Sequence, residues 1–223
     1  VLNEEVDYIL RLGIHTHFKH YVSSLKEILE QDYDAVFVGT GAPRGRDLPD
    51  LPGRTEGGAN IHIGINWLGS VAFEHTERIG KRVIVLGGGN TAMDCCRTAR
   101  RLGGEDVKVI VRSPFATMKA SPWEKEDAQH EDIPIIDNHV PKSFVYEAVG
   151  GGQLAVGGHD NADSAANGQP PTAYRLTGMT FEKVEAKYDE NGKRSLVPTG
   201  EPEVFFPADD VLIAVGQENA FPW

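Results

Sequence analysis

The sequence has 223 residues, enough for one large or two small domains, and its 40% hydrophobic content suits a globular core. A formal net charge of −11 argues against nucleic acid or an anionic membrane as partner, though not against a nucleotide whose phosphates meet a helix terminus. No apolar run has the length of a transmembrane helix and no signal peptide is visible, while a first residue of Val rather than Met reads as a fragment.

In chain order, residues 1–12 read as a helix with Leu2, Val6, Ile9 and Leu10 on one face and Gly13 as its stop. A short strand is expected over 14–18. Ser24-Leu-Lys-Glu27 has the spacing of a capping box for a second short helix. The run 34–40 (DAVFVGT) reads as a buried strand, and the Pro- and Gly-rich stretch 42–60 as a connection or domain boundary. A helix over 64–79 would then place Ile65, Leu68, Ala72, His75 and Ile79 on one stripe, with His75 packed or capping rather than ligating.

The stretch 81–94 (KRVIVLGGGNTAMD) is the most informative. Four apolar residues, Val83 to Leu86, lead into Gly87, Gly88 and Gly89, then Asn90, Thr91 and Ala92, with Gly87, Gly89 and Ala92 at G-x-G-x-x-A spacing. Gly87 permits a tight turn, Gly89 lets backbone approach a pyrophosphate, and Ala92 lets the helix pack close to its strand. The helix then offers unpaired N–H groups and its positive dipole end to the phosphates. Ala92, Cys95, Cys96, Ala99 and Leu102 share one face, Arg97, Arg100 and Arg101 the other, and Gly103-Gly104 ends the helix. Cys95 and Cys96 are the only cysteines. Neighbours on a helix point about 100° apart, so they read as small buried residues, as suits a reducing, cytoplasmic setting, and no metal site is expected.

A second strand is expected over 107–111, followed by Arg112 and Ser113 and a loop to Ala120. Ser121-Pro-Trp-Glu124 supplies an N-cap, a Pro at N1 and a Glu at N3 for a helix whose acidic residues read as a solvated face. Strands follow over 133–137 and 140–147. Residues 149–168 are low-complexity and read as a surface loop. A hairpin over 174–197 would turn at Asn191-Gly192, and 210–216 (DVLIAVG) would be a last buried strand ending at Gly216. The fold class is α/β, a Rossmann-like parallel sheet of βαβ units plus a β-hairpin or meander.

The run 87–94, with Arg97, Arg100, Arg101 and 107–112, resembles the NADPH-binding domain of the glutamate synthase small (beta) subunit family, within the FAD-dependent pyridine nucleotide–disulfide oxidoreductases. The stretches 33–42 (YDAVFVGTGA), 118–122 (MKASP) and 207–217 (PADDVLIAVGQ) resemble further pieces of that family in the same order. The resemblance implies an NAD(P)H-binding domain over 61–206 and partial FAD-binding domain over 1–60 and 207–223. It implies NADPH at Gly87, Gly88, Gly89, Asn90, Thr91, Ala92, Arg112, Ser113 and Gly216. Arg112 stands where the family often pairs two arginines on the 2′-phosphate, and Ser113 replaces the second, so NADPH is favoured and NADH is the alternative. The implied activity is hydride transfer from NADPH to FAD and on to an iron–sulfur domain or subunit. The family's amino-terminal FAD fingerprint and carboxy-terminal Gly-Asp motif are not found in the sequence, so FAD is expected in the full-length parent rather than retained by this chain. No acid–base or nucleophilic catalytic residue is expected. The alternative is a dinucleotide-binding or electron-transfer module without turnover of its own.

Overall fold

The computed structural model describes residues 2–56, 58–148, 154–156, 174–188, 190 and 194–220. They fall into two units, one containing residues up to Gly41 and one spanning Ala42–Ala220. In the first, helix α1 is Leu2–Leu10 and α2 is Leu25–Leu29, where the Ser24 hydroxyl accepts the Glu27 N–H at 3.3 Å as the capping box requires. The strands expected over 14–18 and 34–40 are not formed. Phe37 is 95% exposed, and among the described residues no strand offers its edge to 34–40; extended backbone becomes a strand only by pairing.

In the second unit, β1 (Arg44–Gly45) precedes β2 (Ile61–Ile63), α3 (Gly64–Ala72), β3 (Arg82–Leu86), α4 (Asn90–Arg101), β4 (Asp106–Ile110), α5 (Pro122–His130) and β5 (Ile135–Ile136). Then come β6 (His139–Ala148), β7 (Leu154–Val156), β8 (Tyr174–Tyr188), β9 (Arg194–Pro198), β10 (Val204–Pro207), β11 (Asp210–Ile213) and β12 (Gln217–Glu218). A parallel sheet has the order β2-β11-β3-β4-β5, and an antiparallel sheet the order β10-β8-β6-β7 with β9 on β8. The fold is α/β, as the sequence predicts. The turn expected at Asn191-Gly192 and most of the low-complexity stretch lie outside the described residues.

Both faces of the parallel sheet are covered, so its central strands β3 (Val83 to Leu86) and β11 (Val211 to Ile213) read as unbroken apolar runs rather than alternating ones. Side chains alternate across a strand. Val83 and Val85 therefore pack with Ala92, Met93, Cys95, Cys96 and Ala99 of α4. Ile84 and Leu86 pack on Phe144, Met179 and Phe181 of the antiparallel sheet. The result is three layers: helices, parallel sheet, antiparallel sheet.

The helix expected over 64–79 is shorter than that. Helix α3 ends at Ala72, not 79. Glu74 has φ +60 and the Ser70 carbonyl accepts the His75 N–H at 2.8 Å, which closes the helix and leaves His75 exposed beyond it. Strand β11 lies between β2 and β3, where its four buried residues have parallel neighbours on both sides.

Asp209 precedes β11 and Asp210 opens it. Asp210 is 7% exposed; its carboxylate accepts Asn60 Nδ2 at 3.1 Å, His62 Nε2 at 3.1 Å and the Gly80 N–H at 2.8 Å, which ties β2 and the α3–β3 connection to β11. Asp209 accepts the Arg82 N–H at 2.9 Å and its guanidinium. The hydrogen-bonded Arg82 guanidinium holds the Asp209 carboxyl below the usual carboxylate range. A carboxyl depressed in the folded state adds stability above its unfolded pKa, roughly 3.9, that is lost as pH falls through the folded value. The urea midpoint of the wild type is thus expected to fall more steeply below about pH 4 than that of Asp209→Asn. Parallel acid limbs would assign the ion pair no part in stability.

Candidate nucleotide site

The site forms where β3 turns into α4. Gly87 has φ +137, and a Cβ there would lie 2.2 Å from the Ala214 carbonyl oxygen, just past β11. A Cβ on Gly88 would meet Val111 at 3.1 Å and Met118 at 3.4 Å, whereas one on Gly89 would meet nothing within 4 Å. Gly87 and Gly88 thus fit the turn into the protein, and Gly89, the N-cap of α4, faces open space at the helix's amino end. Ala92 is fully buried against the sheet. A tight turn at Gly87, open space at Gly89 and a buried Ala92 are the backbone geometry that the fingerprint spacing calls for.

The turn is braced from both sides. On one, Ala120 N–H donates to the Gly88 carbonyl at 2.9 Å. Ser121 N–H donates to Asn90 Oδ1 at 2.8 Å, and Asn90 Nδ2 to Ser121 Oγ at 3.3 Å. The Asn90 side chain therefore serves the protein, and what Asn90 offers a ligand is its backbone. Ser121 is the N-cap of α5 as predicted, but its hydroxyl makes no capping bond to that helix. Glu124, expected at N3 of a capping box on a solvated face, instead joins Asp127 and Glu131 around Arg97 of α4, at 3.2, 3.0 and 2.8 Å. On the other side, Gln217 Nε2 donates to Thr91 Oγ1 at 3.1 Å, and Gly216 has φ +138.

Arg112 follows β4, is exposed, and has no ion pair among the described residues; Ser113 beside it is half-buried. Asp137, past β5, accepts the Phe115 N–H at 2.8 Å and so holds the loop that carries them. Cys95 and Cys96 lie under α4 with no exposure, and burial raises both thiols, Cys96 to about 12. Both are expected to resist alkylation until the chain unfolds. Labelling of the native protein at the rate of a free thiol would refute that packing. A cavity of about 350 Å³ lined by His62, Asn66, Trp67, Ser70, Arg78 and Asp210 lies at the amino ends of β2 and β11, the opposite end of the sheet from the glycine turn.

The structure brings Gly87, Gly88, Gly89, Asn90, Thr91, Ala92 and Gly216 around one helix terminus, with Arg112 and Ser113 at the end of the adjacent strand β4. A helix terminus beyond the carboxyl ends of parallel strands is where such sheets receive dinucleotides. The family model for pyridine nucleotide-disulphide oxidoreductase matches residues 2–165. The chain belongs to the pyridine nucleotide-disulphide oxidoreductase family. This family member is 33% identical over 223 residues to the NADPH-Fe(3+) oxidoreductase subunit beta of Geobacter sulfurreducens, covering 98% of this chain and 29% of that protein. It is 29% identical over 221 residues to the NADP(+)-dependent formate dehydrogenase subunit beta of Moorella thermoacetica, covering 97% of this chain and 28% of that protein. The glutamate synthase [NADPH] small chain of Halomonas elongata is 33% identical over 214 residues, covering 88% of this chain and 38% of its own length. The chain thus spans less than two fifths of each of these relatives. Mycobacterium tuberculosis FprA in complex with NADPH has a similar fold, with a TM-score of 0.58 at 17% identity over 87% of this chain and 52% of FprA. Among the described residues no helix is long and apolar enough to cross a membrane and no cluster of His, Cys, Asp and Glu is arranged to hold a metal ion.

Sequence reasoning missed Ser121, Asp137 and Gln217 as parts of the site. Their partners lie 31, 22 and 126 residues away, and no local pattern signals contacts at those separations.

Proposed function

We propose that this chain is the NADPH-binding part of a flavin-dependent oxidoreductase. NADPH binds with its pyrophosphate at the amino end of α4 and its 2′-phosphate at Arg112 and Ser113. The observation that carries this reading is the contrast between Gly87, locked against Ala214, and Gly89, open above the helix terminus. The residues suit the cofactor: a helix amino end for the pyrophosphate, an exposed guanidinium beyond β4 with no ion pair among the described residues for the 2′-phosphate, and a buried Ala92 that lets α4 approach. Several relatives carry NADPH or NADP(+) in their names, in keeping with that choice.

Bound there, the nicotinamide supplies hydride chemistry, and the full protein holds the FAD that receives it and passes electrons to an iron–sulfur partner. The chain's own residues bind and orient; positioning is their share of catalysis.

Titration of the chain with NADPH and NADH tests the reading. Micromolar-class binding of NADPH is expected. Arg112→Ala should weaken NADPH by roughly 10- to 100-fold and NADH by much less, since a charge-assisted contact to the 2′-phosphate contributes about 1.5–3 kcal/mol. Equal losses for both would make Arg112 a generic surface charge.

A further inference from the structure

The short antiparallel ribbon of β1 and β12 sits beside the amino end of α4, and two arginines that the glycine fingerprint gives no reason to suspect, Arg44 in β1 and Arg46 just after it, lie there. Arg44 pairs with Glu218 across the ribbon, and Gly45 with Gln217. Gln217 is the residue whose side chain reaches Thr91 in the first turn of α4. The Arg46 N–H donates to the Gly216 carbonyl at 3.0 Å, and Arg46 Cδ lies 3.6 Å from where a Gly216 Cβ would stand, so the arginine stem runs over Gly216. The ribbon is firmly seated: a Cβ on Gly45 would fall 2.3 Å from Ile63 and 3.0 Å from Ile65.

The charges there do not balance. Arg44 and Arg46 share one carboxylate, Glu218, at 3.9 and 3.8 Å, beyond hydrogen-bond reach, and their side chains are 61% and 60% exposed. Among the described residues neither guanidinium makes a hydrogen bond. A surplus positive charge thus stands beside the Gly216 turn at the carboxyl end of β11.

Topology says which part of a ligand would meet it. Strands β4 and β11 flank β3 on opposite sides. Arg112 follows β4, and the Gly216 turn follows β11. A dinucleotide whose pyrophosphate lies at the turn between β3 and α4, with its 2′-phosphate at Arg112, extends its other half toward Gly216. Resting on that reading of the site, we propose that Arg46 is a second cationic contact for NADP(H), to the phosphate on the nicotinamide side, and that Glu218 competes with this phosphate for it.

Calorimetric titration with NADPH and with 2′,5′-ADP separates the halves, because 2′,5′-ADP has the 2′-phosphate and lacks the nicotinamide-side phosphate. Arg46→Ala should weaken NADPH about tenfold, the lower end for an exposed charge-assisted contact, and leave 2′,5′-ADP within about twofold. Arg46→Lys should recover part of the loss, and Glu218→Gln should tighten NADPH about two- to threefold by removing the competing carboxylate. Unchanged NADPH affinity in Arg46→Ala overturns the proposal. So does an equal loss for both probes, which would mean that Arg46 acts by holding Gly216 and Gln217 against α4. Should Arg46→Ala fail to fold, Glu218→Gln decides, and an unchanged affinity there rejects the contact. A wild-type chain that binds neither probe refutes the dinucleotide reading itself, and this one with it, before any variant is made.

Discussion

Gly89→Val is expected to abolish NADPH binding while leaving the fold intact. Gly89 is extended, with φ −103, so no left-handed conformation needs relief. A Cβ there meets no atom within 4 Å, so the larger side chain displaces nothing in the protein and instead fills the approach to the α4 amino end. The N–H groups of the first turn can then no longer be reached by a pyrophosphate. Each hydrogen bond to a charged group contributes about 1.5–3 kcal/mol, and losing two or more lowers affinity by at least about 100-fold. Replacing glycine at an N-cap costs only about 1 kcal/mol, so the urea midpoint should move little. Calorimetry and urea unfolding on the same preparation are the check. Full NADPH affinity in a folded Gly89→Val variant would remove the pyrophosphate from this helix terminus.

Gly87→Ala is expected to do the opposite and act on stability first. The position has φ +137, where L residues are strained by about 1–3 kcal/mol. The added methyl would lie 2.2 Å from the Ala214 carbonyl oxygen, so the β3–α4 turn and the end of β11 must part. Overpacking of that kind costs about 1–3 kcal/mol, and the two effects together amount to about 2–6 kcal/mol, a large fraction of the stability of an ordinary domain. Urea denaturation followed by circular dichroism measures it. A loss below about 1 kcal/mol would show that the two backbones separate freely and that Gly87 is not what joins the fingerprint turn to β11. Two glycines two residues apart thus have separable consequences, binding for Gly89 and folding for Gly87.

The local spacing of 81–94 by itself determined the strand, the turn and the helix of the candidate site, because the glycine and alanine requirements there arise within one βα unit. Val83 to Leu86 also announced a strand covered on both faces, since four consecutive apolar residues leave no solvent side. Ser24 and Ser121 marked helix starts through rules that act within one turn. Tertiary structure decided everything that depends on a distant partner. The run 34–40 has the composition of a buried strand, yet among the described residues nothing pairs with it. Asn90 looked free for a ligand, and Ser121 takes its side chain. Glu124, Asp127 and Glu131 looked solvated, and Arg97 gathers them. The position of β11 beside β3, and with it the placing of Gln217 on Thr91 and of Gly216 against Arg46, rests on pairing between segments more than 100 residues apart. Strand pairing and side-chain bridges of that span depend on which surfaces the folded chain brings together, and a single sequence records periodicity and turn chemistry but not that choice.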